Sequence, residues 1–229
     1  MRTFAPYFLT AALILPGSMA VAGSQAEDRQ ILLSVEIEPR IVDLVEIGDF
    51  HFLPGQVGPT HTHDAPVFGY VSQGTIHYQV EGQAPQILKT GDAFFEPSGP
   101  RILHFDNASD SEVAVFTDFN LQQEGEPFIR FEEPLTEQID RRSFPTAELD
   151  GVTVSKIEAY SETYAAGERI TKTATMPIFG YVASGTVTIS VNGRDPQIIP
   201  QGKSFFRPAS AEVTLEMPGD TEIISFHLL

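Results

Sequence analysis

Three histidines carry the chemistry this chain most directly offers. His61 and His63 are one residue apart, so on a strand both rings project to the same side. Two imidazoles converging on one point suit a divalent transition metal. His104, in Ile102-Leu103-His104-Phe105, sits where a later strand can return beside the first and add a third nitrogen.

An internal duplication sharpens this list. Residues 66–99 read PVFGYVSQGTIHYQVEGQAPQILKTGDAFFEPSG, and residues 177–210 read PIFGYVASGTVTISVNGRDPQIIPQGKSFFRPAS. The offset is 111 without a gap, and 16 of 34 positions are identical. Repeats take priority over local motifs in reading a fold. At the same offset Lys172, Ala174 and Leu215 stand opposite His61, His63 and His104, and Arg207 stands opposite Glu96. One half carries a polar cluster that the other lacks. Tyr70, Phe68, Phe94 and Phe95 recur as Tyr181, Phe179, Phe205 and Phe206 and read as scaffold. Residues confined to the first half (His61, His63, His104, Glu96, His77 and Arg101) are the functional candidates. His51 and His227 have no motif around them and read as structural.

The elements that must hold these side chains are strands. Short runs of Val, Ile, Phe and Thr alternate with Gly and Pro punctuation from Ile31 onward. In Thr75–Val80, residues Ile76, Tyr78 and Val80 share one face, with Thr75, His77 and Gln79 on the other. Many short strands at near-regular spacing predict a closed barrel or jelly roll. The one helical candidate is residues 136–142, between the two halves.

Composition bounds the rest. There is no Cys and no Trp among the 229 residues, so disulfides and thiolate metal sites are excluded. A formal net charge of −17 repels nucleic acid phosphates and anionic lipid. Neither nucleic acid nor membrane is expected as a partner; a small-molecule ligand or substrate is. Residues 1–22 read as a signal peptide: Arg2, an apolar run from Phe8 to Leu15, Pro16-Gly17, and Ala20-Val21-Ala22 as the cleavage site. The run falls short of the roughly 20 apolar residues of a membrane span. A periplasmic or secreted mature protein follows, with residues 23–30 expected to lack structure.

These residues resemble the cupin superfamily, and the duplication resembles a bicupin. The first cupin motif, G-x5-H-x-H-x3,4-E-x6-G, is met by Gly55, His61, His63 and Gly74. The second, G-x5-P-x-G-x2-H-x3-N, is met by Gly91, Pro97 and Gly99, with the histidine two residues late at His104 and Asn107 beyond it. Pro66–Gly74 is also similar to small exported proteins of the cupin-2 kind. The resemblance implies an all-β fold, a duplicated double-stranded β-helix (jelly-roll) barrel. It places a metal-binding lobe at 31–125, a linker at 126–150 and a degenerate lobe at 151–229. It further implies one divalent metal (Fe, Mn, Zn or Ni) in the first barrel.

The motif's glutamate position is occupied by Val67. Either the three histidines suffice, or Glu96 supplies the carboxylate as a ligand or as a partner of a ligand. Two functions remain open on these residues. One is a metal-dependent enzyme acting on a small molecule, a dioxygenase ahead of an isomerase. The other is a noncatalytic periplasmic protein that binds or senses a small ligand. Cupins often pair through their sheets, so assembly is expected either as a homodimer or between the two lobes of one chain.

Overall fold

The computed structural model describes residues 28–135 and 138–229. The proposed signal peptide lies outside the described residues. Every element among the described residues is a strand. The first lobe is built from β1 (Asp28–Phe52), β2 (His61–Thr62), β3 (Val67–Gln73), β4 (Thr75–Val80), β5 (Gln86–Lys89), β6 (Ala93–Glu96), β7 (Ile102–Asn107) and β8 (Ala114–Gln122). Two short strands follow, β9 (Arg130–Phe131) and β10 (Asp140–Ser143). The second lobe comprises β11 (Ala147–Tyr164), β12 (Arg169–Thr173), β13 (Ile178–Ser184), β14 (Thr186–Val191), β15 (Gln197–Pro200), β16 (Ser204–Arg207), β17 (Glu212–Glu216) and β18 (Thr221–Leu228).

The duplication is visible in the topology. One large sheet runs β16-β13-β18-β11-β1-β8-β3-β6, so its two halves mirror each other about the β1–β11 pair. Each half is matched by a small sheet: β5-β4-β7-β2 with β9 in the first lobe, β15-β14-β17-β12 in the second. Each lobe is therefore a two-sheet jelly roll. Double layering protects sheet edges that would otherwise be open to other chains.

Alternation along the strands explains the layering. In β4, Ile76, Tyr78 and Val80 are buried while Thr75, His77 and Gln79 are half-exposed. β3 is buried on both faces: Val71 packs inside the first barrel, while Phe68 and Tyr70 join a second core. That second core lies between the lobes. Phe68 stacks on Phe119 at 5.1 Å and meets Phe226 at 4.8 Å. Tyr70 meets its own repeat, Tyr181, at 5.5 Å. Of the residues shared by both copies, Phe68, Tyr70 and Phe95 with their repeats belong to this seam, whereas Phe94 and Phe205 pack inside their own barrels. The lobes of one chain pair with each other in the way two separate barrels would. Gly69 also recurs, as Gly180; a Cβ there would overlap the Phe94 or Phe205 ring.

Two expectations change. Asp28–Gln30 begin β1 rather than a tail, because they pair with Ser161–Thr163 of β11. The candidate helix at 136–142 does not form across its described part. Asp140–Arg142 are strand, laddered to Asp49–His51 of β1; residues 136 and 137 lie outside the described residues. The segment after β8 folds back on the first lobe, with β9 pairing to β2 and β10 to β1.

Candidate metal centre

The structure brings together His61, His63 and Glu96. One potential ligand atom from each lies within 4.8 Å of the others, and all three residues are buried. His61 and His63 come from β2 and the residue just after it, and Glu96 ends β6. The two imidazoles meet edge to face at 5.1 Å. Nε2 of His63 stands 3.1 Å from Glu96 Oε2, and Nε2 of His61 stands 3.8 Å from Oε1.

Hydrogen bonds on the far side of each ring set its protonation. Nδ1 of His61 donates to the Pro59 carbonyl at 2.7 Å, and Nδ1 of His63 donates to the Phe128 carbonyl at 2.9 Å. Carbonyl oxygens only accept, so the proton sits on Nδ1 and the Nε2 lone pair faces Glu96. Nε2 of His63 and Oε1 of Glu96 are nonetheless buried without a hydrogen-bond partner. Orphaned buried polar atoms are rare and call for an explanation. Two inward lone pairs and a carboxylate, backed by carbonyls that orient the rings, fit a divalent cation.

The electrostatics agree. Burial pushes the Glu96 carboxyl up, but His61 and His63 pull it down to about 2. Burial opposes a charged His63, yet the Glu96 carboxylate outweighs it and raises the ring above its ordinary value. Asp118, on β8, is pushed far up by burial and by the charge on Glu96, against the pull of Arg141. Burial thus favours the neutral form of Asp118, while the histidines favour the ionised form of Glu96. Asp118 and Glu96 line a cavity of about 30 Å³ with His61, Phe105 and Phe116.

His104 does not join this centre. Across β4 and β7, His104 pairs with Gln79 and Ile102 with Val80, so β7 carries one extra residue there. Such a bulge reverses which residues face inward. Ile102 and Phe105 are buried, while the His104 side chain is 43% exposed. Ile102, which occupies the motif's own histidine position, pairs with His61. His104 instead donates from Nδ1 to Asp106 at 2.8 Å. Its ring lies 4.5 Å from that of His77, and the three form a separate group on the outer face of the sheet.

The other candidates are placed as follows. Arg101 pairs with Glu132 and Glu81 at the surface. Asp64 faces away from the centre and is held by Arg130 at 2.7 Å from both nitrogens. His51 bonds Asp49. Sequence reasoning missed Asp118, although its signal is present: Asp118 and Asn120 interrupt an apolar strand on one face. It also missed the Phe128 carbonyl, which accepts from both His63 and Asn120. A backbone oxygen leaves no trace in residue types.

The fold and site together define a duplicated jelly roll with a candidate metal centre in its first barrel. Residues 48–119 match the family described as the cupin domain. That match lies in the first lobe, which carries a cupin domain, and the repeated topology of the second lobe is consistent with a two-lobed cupin. No curated protein matches the chain in sequence. Among solved structures, it resembles salicylate 1,2-dioxygenase from Pseudaminobacter salicylatoxidans with a TM-score of 0.60 and 14% identity, over 81% of this chain and 71% of that one. A gentisate complex of a variant of that enzyme gives 0.58 and 12%, over 91% and 84%. AerE from Microcystis aeruginosa gives 0.60 and 12%, over 87% of this chain and 98% of that one. At these identities the likeness is one of fold.

Proposed function

We propose that this protein is an exported metal-dependent cupin enzyme, with its centre at His61, His63 and Glu96 and the oxygenation of a small organic molecule as its reaction. The carrying observation is the donor set. Two Nε2 atoms and one carboxylate, with the Nδ1 protons committed to carbonyls, correspond to the ligand type of non-haem Fe(II) oxygenases. Bound there, a divalent metal supplies Lewis-acid chemistry or, as iron, dioxygen activation. Dioxygen is then the oxidant, and both its atoms enter the substrate. The chain's own part is to fix the rings, keep Glu96 ionised and present the Asp118 carboxyl to the same cavity. Fold similarity to a salicylate dioxygenase supports the reaction class without assigning the substrate. Export rests on the character of residues 1–22; a mature protein beginning near Gly23 on mass spectrometry is the expected result.

A noncatalytic binding or sensing role is the second reading, and the cavity by itself does not separate it from the first. At about 30 Å³ it exceeds the roughly 10–15 Å³ that one water needs, yet falls far below the roughly 300 Å³ of a typical ligand pocket. Anaerobic purification with elemental analysis, then oxygen uptake across thiols, phenols and diketones, separates the two. The enzyme reading expects Fe, Mn, Zn or Ni near one per chain, and uptake that disappears in Glu96→Gln. Retained metal with no turnover on the panel supports the binding reading.

A further inference from the structure

The second barrel contains a larger cavity than the one beside Glu96, and its chemistry is inverted. Its volume is about 320 Å³, within the range of small-molecule sites. Arg207 occupies the position of Glu96 and pairs with Ile178 on the same rung on which Glu96 pairs with Val67. Lys172 occupies the position of His61 and shares the inward face of β12 with Ile170. Arg29, from the start of β1, enters the same cavity. Three cationic side chains therefore line the space that holds the metal donors in the first lobe.

Their charge is only partly balanced from within. Glu162 is the cavity's one acidic side chain among the described residues, and it stands 3.4 Å from Arg29. His227 is held neutral, its pKa lowered to about 4 chiefly by burial. The Leu229 oxygen is taken by the Ser155 and Lys156 amides. Arg207 is only 8% exposed, and its Nε is buried without a hydrogen-bond partner. Neither Arg207 nor the Lys172 side chain forms an ion pair among the described residues. Burial lowers the guanidinium pKa of Arg207 despite the pull of Glu162. A buried charge left without a partner is strongly unfavourable, and in a protein of net charge −17 uncompensated cations are conspicuous.

We infer that the second barrel is a binding site for a small organic carboxylate, anchored by Arg207 and Lys172. The planar guanidinium matches a carboxylate in two-point geometry, and the ammonium adds a point charge. Ile170, Ile178, Val213 and Leu215 line the remainder and accept a hydrocarbon body. On this view the second lobe did not simply lose its centre; it exchanged metal donors for cations. The inference is independent of any reaction in the first barrel.

The test is calorimetric titration of the full chain with benzoate, against benzamide as its uncharged analogue and inorganic phosphate as a compact anion. Saturable one-to-one benzoate binding is expected, at least tenfold tighter than benzamide. Arg207→Met should weaken it at least tenfold and Lys172→Ala several-fold, with first-barrel metal content unchanged in both. Without ligand, Arg207→Met should melt no lower than wild type, since it removes an uncompensated charge; a merely structural arginine would lower the melting temperature. If Arg207→Met fails to fold, half-buried Lys172→Ala carries the test. Absence of benzoate binding, binding unaffected by the variants that fold, or preference for phosphate over benzoate overturns the assignment.

Discussion

Val67 and Glu96 stand directly opposite each other on the antiparallel ladder between β3 and β6. Opposed residues on such a ladder project to the same face, and both are almost fully buried. The carboxylate missing from the motif position therefore enters the same volume from the neighbouring strand.

This relationship predicts that the charge can be moved across the rung. Glu96→Val should weaken metal binding by about a hundredfold or more, beyond the range seen for outer-shell partners. The exchange Val67→Glu with Glu96→Val should recover most of it. Competition against a chelator reads both, and a folded exchange variant as weak as the single one would count against the geometry.

The outward turn of His104 predicts a quiet substitution. His104→Ala removes a partly exposed side chain and its bond to Asp106. Such a loss costs about 1 kcal/mol. Metal affinity of the first barrel should be unchanged, and elemental analysis of the variant checks it.

The His227 environment predicts an acid-sensitive contribution. Burial, with Arg29 and Arg207 and against Glu162, lowers its pKa from 6.5 to about 4. The unfolded chain binds the proton first, so this group's stability contribution is intact above pH 6.5 and declines as pH falls toward 4. The loss is roughly 3 kcal/mol at most. Urea titrations at several pH values should show a shallower acid decline in His227→Gln; an identical slope would contradict the shift.

The seam between the lobes predicts shared stability. Phe119 touches Phe68, Phe179 and Phe226, spanning both copies. Phe119→Ala should cost about 3–5 kcal/mol. Denaturant unfolding followed by fluorescence and circular dichroism should shift as one transition, and a loss under about 1 kcal/mol would rule out a common core.

Much of this was legible in the residues. The repeat, with its Gly and Pro frame, predicts two barrels, and the alternation of Thr75–Val80 predicts which face is buried. His61, His63 and Glu96 emerge because they vanish together from the second copy. His104 passed the same filter and still faces outward, because one inserted residue between Val80 and Gln79 pairings reverses a strand. Register of that kind is set by ladder contacts, not by local residue types. His227 read as structural, yet it lines the second cavity. The substitutions Lys172 and Arg207 read only as losses; their convergence on one cavity needed Arg29 from a strand more than a hundred residues distant in sequence.

The most direct test of the central claim is an anomalous scattering map from crystals grown with Fe(II) or Mn(II) under anaerobic conditions. The account predicts a peak bonded to His61 Nε2, His63 Nε2 and a Glu96 oxygen. A map without density there, or with its peak only among His77, His104 and Asp106, would contradict it.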